Sequence, residues 1–235
     1  MGMTPTIDLS HLAVTRGLVG YWMGGVQGVP ALGTVRDLSS KGKDGTLVGN
    51  AYVDGDGVQF DGDGDYVETP PIFSSETTYL SASIWVKKTS LGYNWDSFIR
   101  QGPYAGSING FGIFRYSSSN AVAFAVRNGA NYQAYSSETP LSSSNWIHLV
   151  MVYDGSKTSN SNRLKGYIDG LLISLTYTGT VPATGNLSEG MMINRNDPSY
   201  DFNGSIDDVR IYNRGLSAAE VRAIYDNTLW RHQNA

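Results

Sequence analysis

The chain has 235 residues, 16 % of them charged, a net charge of −4 and no cysteine. A mildly acidic chain offers no Lys/Arg stripe to neutralise phosphates, which argues against nucleic acid, and the lack of cysteine excludes disulfides, Cys-ligated zinc and thiol catalysis. No apolar run approaches the roughly 20 residues that a membrane-spanning helix needs, whereas 28 glycines and 15 tyrosines suit one all-β domain of short strands and tight turns.

Residues 1–16 are polar and irregular and are expected to form an N-terminal arm. The opening Met1-Gly2-Met3-Thr4-Pro5 has neither a basic stretch nor a long apolar run, so it does not read as a secretory signal. Residues 17–23 are expected as the first strand, 24–36 as a Gly-rich loop, and 37–47 as a polar turn running into a strand. Asp61-Gly62-Asp63-Gly64-Asp65, between Val58-Gln59-Phe60 and Tyr66-Val67-Glu68, reads as the tip of a hairpin. It is not a calcium-binding EF-hand loop, because Tyr66 stands where that loop needs Gly and Ile72 where it needs Glu.

Residues 81–87 are apolar on both faces, as in a central strand. Strands follow at 97–100, 111–116 and 121–126, and Asn128-Gly129 predicts a type I′ turn into 132–135. Residues 146–153 are a long apolar strand, and Asp169-Gly170 predicts a second tight hairpin. After Met191-Met192-Ile193 comes a closing strand over 202–214, where the adjacent Asp207 and Asp208 should point to opposite faces. Ser217 and Glu220 form a capping box opening a short amphipathic helix through Val221, Ile224 and Tyr225, with 228–235 as a tail. The sum is an all-β, two-sheet antiparallel jelly-roll sandwich over residues 17–227, with one short C-terminal α-helix.

Several pieces, in order, carry a resemblance. They are Gly17 to Trp22, Asp37-Leu38-Ser39 with Gly45-Thr46-Leu47, and Val58-Gln59-Phe60-Asp61-Gly62 with Asp65-Tyr66-Val67. Ser83-Ile84-Trp85-Val86, Trp146-Ile147-His148-Leu149-Val150, Tyr153-Asp154-Gly155, Tyr167-Ile168-Asp169-Gly170 and the closing strand continue it. Together they resemble the laminin-G-like, concanavalin A-like jelly rolls, a fold that hosts lectins, enzymes and adhesion modules alike. The resemblance implies a structural Ca2+ where the first polar turn meets the closing strand, with Asp37 and Asp207 as ligands, carbonyls around Gly42 to Asp44, and Asp44 itself at a variable position. The alternative is that Asp37 caps a turn and Asp207 bonds nearby backbone amides.

Catalysis has little support. The five glutamates are 68, 76, 138, 189 and 220, and the nearest pair is separated by Pro70-Pro71, so no two share a strand face as a glycosidase pair would. Arg-x-Glu-x-Arg and Gln-Ile-His strands, which lyase relatives would carry, are absent. His148 shares its face with Trp146, Val150 and Val152 and reads as a packed histidine. Sugar binding instead needs aromatic platforms with planar polar neighbours. Trp95, Tyr93, Tyr104 and Tyr132, with Arg100, Arg127, Asn128 and Arg195, are the candidates, Tyr135 and Tyr200 following. The alternation in Ala121-Val122-Ala123-Phe124-Ala125-Val126 sets small residues on one face, to floor a groove or to pack under a loop. The expectation is a non-catalytic glycan-binding or adhesion module, extracellular or on a virion surface, whose arm contacts other surface proteins. A virion decoration protein without sugar ligand and a divergent polysaccharide hydrolase or lyase are the alternatives.

Overall fold

The computed structural model describes residues 14–24, 33–90, 96–101, 109–116, 120–129, 133–136, 138–142, 145–187, 190–194 and 202–233. Two large antiparallel sheets make the sandwich. The first runs Leu171–Leu172, Leu164–Ile168, Trp146–Asp154, Tyr79–Ser90, Asn203–Tyr212, Gly57–Asp61, Tyr52–Asp54, and Leu18–Trp22 also pairs with Asn203–Tyr212. The second runs Leu175–Thr178, Gln133–Ser136, Ala121–Asn128, Asn109–Tyr116, Ser97–Gln101, Met191–Ile193, Tyr66–Thr69, Gly45–Val48, Thr34–Val35. Glu76–Thr77 and Gly185–Asn186 form a small separate pair.

Strand alternation builds the core. Ile147, Leu149, Met151 and Tyr153 enter the inter-sheet cluster with Ile84, Val86, Ile113, Val122, Phe124 and Val126. Their neighbours Val150 and Val152 face the other way, against Val221 and Ile224 of the helix Ala218–His232. The doubly apolar strands of the first sheet are therefore sandwiched between core and helix. Gly166 marks how close the sheets come, since a Cβ there would lie 2.4 Å from the Phe124 ring.

Ser217 caps the helix: the Glu220 N–H donates to its Oγ at 3.3 Å, and its own N–H donates to Glu220 Oε2 at 2.8 Å. The helix does not stop near 227. It runs to His232, because Thr228 accepts the Trp85 indole N–H at 2.8 Å and His232 is buried on the sheet, so most of the expected tail is helix.

Three local expectations change. Asp61 to Asp65 is no hairpin tip: Gly57–Asp61 belongs to the first sheet and Tyr66–Thr69 to the second, so the segment crosses between layers. The buried Asp65 carboxylate holds that corner, accepting the Asp61 N–H at 2.9 Å. The strands on either side of Asn128-Gly129 do pair, but with Ala125 opposite Gln133 an odd number of residues separates the partners, whereas a two-residue turn needs an even number. Asp207 and Asp208 do not diverge, because the register shifts between Asp207 and Arg210 and Asp208 has φ 50°, which brings both carboxylates to Arg231. Asp169-Gly170, by contrast, is a two-residue turn with φ of 49° and 76°, joining Ile168 to Leu171 in the type I′ pattern.

Candidate functional site

The outward face of the second sheet gathers the residues best suited to meet a ligand. Across it Phe114, Ala123 and Tyr135 stand opposite one another on three adjacent strands, as do Tyr116 and Ala121. Alanine on the middle strand leaves room for rings from its two neighbours to meet above it. Tyr116 and Tyr135 do so, stacked with centroids 4.0 Å apart and planes within 7°. Phe114, Ala123 and Ala125 form a buried apolar floor, and both tyrosines pack half-buried against it. Burial, and then the neighbouring Tyr135, raise the pKa of Tyr116.

Two of the expected arginines reach this face. Arg100 is opposite Gly112 on one side and Met192 on the other. Arg127 is opposite Gly110, and its guanidinium sits 6.0 Å from the Phe114 ring centroid, within cation–π range. Burial lowers the Arg127 pKa. Asn128 is turned away: its Nδ2 donates to Glu76 Oε1 at 3.2 Å and to Thr184 Oγ1 at 3.0 Å, tying the sheet to the small strand pair. Trp95, Tyr93, Tyr104, Tyr132, Arg195 and Tyr200 lie outside the described residues. Sequence reasoning missed Phe114 and Tyr116 as site residues. The alternation of small and large residues in 121–126 was the signal pointing at their face.

Glu68 is the only carboxylate in the nine described strands of this sheet. His148 is fully buried, with Nε2 2.8 Å from Ser83 Oγ and its ring 5.1 Å from that of Trp85.

The residues expected to hold calcium have other partners. Asp37 Oδ1 accepts the N–H groups of Tyr21 at 3.0 Å and Ser39 at 2.8 Å, and its Oδ2 accepts Lys43 N–H at 2.9 Å. Asp44 Oδ1 accepts the Asp37 N–H at 2.8 Å. Asp207 Oδ1 accepts the Gly24 N–H at 2.8 Å, and its Oδ2 lies 3.1 Å from both the Arg231 guanidinium and His232 Nε2. Among the described residues no three His, Asp or Glu side chains converge to hold a metal. Carboxylates bonded to amides and a guanidinium do not fit a calcium site, which calls for oxygen donors turned to one point. Asp207, Asp208, Arg210 and Arg231 instead form a buried charge network that anchors the end of the helix.

The family model for the concanavalin A-like lectin/glucanases superfamily matches residues 61–222, more than half of the chain. None of the curated proteins matches in sequence. Among solved structures, the ligand-binding domain of botulinum neurotoxin serotype D in complex with N-acetylneuraminic acid is similar at TM-score 0.70 and 12 % identity, covering 94 % of this chain and 53 % of that one. The binding domain of Paraclostridial Mosquitocidal Protein 1 follows at TM-score 0.66 and 17 % identity, covering 90 % and 52 %. Trypanosoma rangeli sialidase in complex with sialic acid matches at TM-score 0.67 and 18 % identity, covering 94 % and 34 %. The chain thus spans about half of the toxin binding domains and a third of the sialidase. At these identities the likeness is one of fold.

Proposed function

The chain belongs to the concanavalin A-like lectin/glucanase superfamily, and on that premise we propose that it is a non-catalytic glycan-binding module. The observation that carries this reading is the stacked Tyr116–Tyr135 pair over its alanine floor, with Phe114 and Arg127 beside it. Ring faces take the C–H face of a pyranose, and guanidinium groups pair with hydroxyls or a sugar carboxylate. The toxin domain and the sialidase, whose structures hold sialic acid, support including acidic sugars among the candidates. A single carboxylate in the strands of that face supports binding over hydrolysis.

The proposal includes display on a virion or cell surface, for which the genes flanking this one are the direct test. Binding itself is tested on a glycan array carrying neutral, sialylated and uronic-acid-containing glycans. A ring burying about 60 Å² on tyrosine would gain about 1.5 kcal/mol at 25 cal/mol per Å², so Tyr135→Ala should weaken binding roughly tenfold, measured at a temperature where its melting curve shows the variant folded. Absence of any array signal at millimolar glycan, or unchanged affinity in Tyr135→Ala, would overturn the reading.

A further inference from the structure

The structure assigns a second ligand site, on the opposite side of the sandwich, for a single neutral pyranose. A cavity of about 300 Å³ lies between the end of the helix Ala218–His232 and the outward face of the first sheet, lined by Trp85, Lys87, Trp146, Asp169, Tyr225 and His232 among others. That volume is at the low end of small-ligand pockets, about 300–1,000 Å³, and suits one sugar ring better than a chain.

The lining is aromatic and polar at once. Trp85 stacks on His232 at 4.1 Å and on Tyr225 at 5.6 Å, and Trp146 meets His232 edge-on at 4.8 Å. Trp146 is 8 % exposed, yet its indole Nε1–H meets no acceptor among the described residues. A buried donor of this kind is costly unless something accepts its hydrogen bond. Asp169 has Oδ1 on the His148 N–H at 2.9 Å, and burial raises its pKa, so this carboxylate too sits in a poorly hydrated place. Lys87 Nζ lies 5.9 Å from the Trp146 ring.

The remaining ring surface of Trp146 and Tyr225, an indole donor without an acceptor among the described residues, a carboxylate, and an ammonium 4.0 Å from Asp56 Oδ2 lie around one small volume and match a polyhydroxylated ring. An ionised ligand of either sign would face a like charge here, and a neutral sugar would not. This assignment does not depend on the role of the second-sheet face, and the two have separate readouts.

The test titrates glucose, galactose, mannose and N-acetylglucosamine into the full ¹⁵N-labelled chain and follows the Trp146 indole N–H signal, assigned from Trp146→Phe. At least one sugar should shift that signal saturably. Leu229 of the helix also lines the cavity, so Leu229→Trp, which fills it, should weaken that binding about tenfold or more, and Tyr135→Ala should leave it unchanged. Should Leu229→Trp fail to fold, Asp169→Asn takes its place, with weakened binding again expected. No saturable shift with any of the four sugars, binding that survives the cavity variant, or binding lost in Tyr135→Ala would overturn the assignment.

Discussion

Full burial pushes the His148 pKa down to about 3 from its ordinary 6.5. Between those values the unfolded chain binds a proton that the folded chain does not. Stability therefore falls as pH drops through 6.5 towards 3, by up to about 1.4 kcal/mol per pH unit from this one group. Urea midpoints at pH 7 and pH 5 should differ less in His148→Phe than in the parent, and equal differences would contradict this. A second residue acts through charge. Asp208 pairs with the buried Arg210 and with Arg231, so Asp208→Asn strands a guanidinium that is 4 % exposed. Breaking such a pair from one side costs about 3–5 kcal/mol, and urea denaturation should show a loss of that size. Asp37 serves three backbone N–H groups, which makes a bound ion unnecessary for its placement. Excess chelator should accordingly leave the melting temperature unchanged, and a fall of several degrees would reinstate calcium.

Elements defined by local chemistry were legible in the chain. Ser217 and Glu220 announce the helix start because both partners lie within one turn, and Ser217→Ala should cost about 1 kcal/mol by thermal melting. The Asp169-Gly170 hairpin was legible for the same reason. The helix end was not, because Thr228 and His232 are held by Trp85 and Asp207, which are distant in sequence. Nor was the layer crossing at 61–65, since the same alternation fits a hairpin and a corner. At the candidate site, the small face of Ala121–Asn128 could be read from its period. The Tyr116–Tyr135 stack could not, because it depends on the register of three strands, and register over this face is set by pairing rather than by any one segment.

On the scale of the whole molecule, the strand Asn203–Tyr212 occupies the middle of the first sheet. Tyr79–Ser90 lies along one of its edges, and Gly57–Asp61 and Leu18–Trp22 share the other. Three early strands are thus completed by a segment synthesised long after them. At about 5–20 residues per second, the first of them waits on the order of ten seconds or longer for its partner. Throughout that interval their unpaired backbone edges can capture other strands. Nascent chains ending at residue 201 should therefore pellet or remain bound to holding chaperones, whereas chains released after residue 233 should be soluble. This domain folds by closing a gap that translation leaves open until Asn203–Tyr212 is made, so its yield in the cell depends as much on protection during synthesis as on the stability of the finished sandwich.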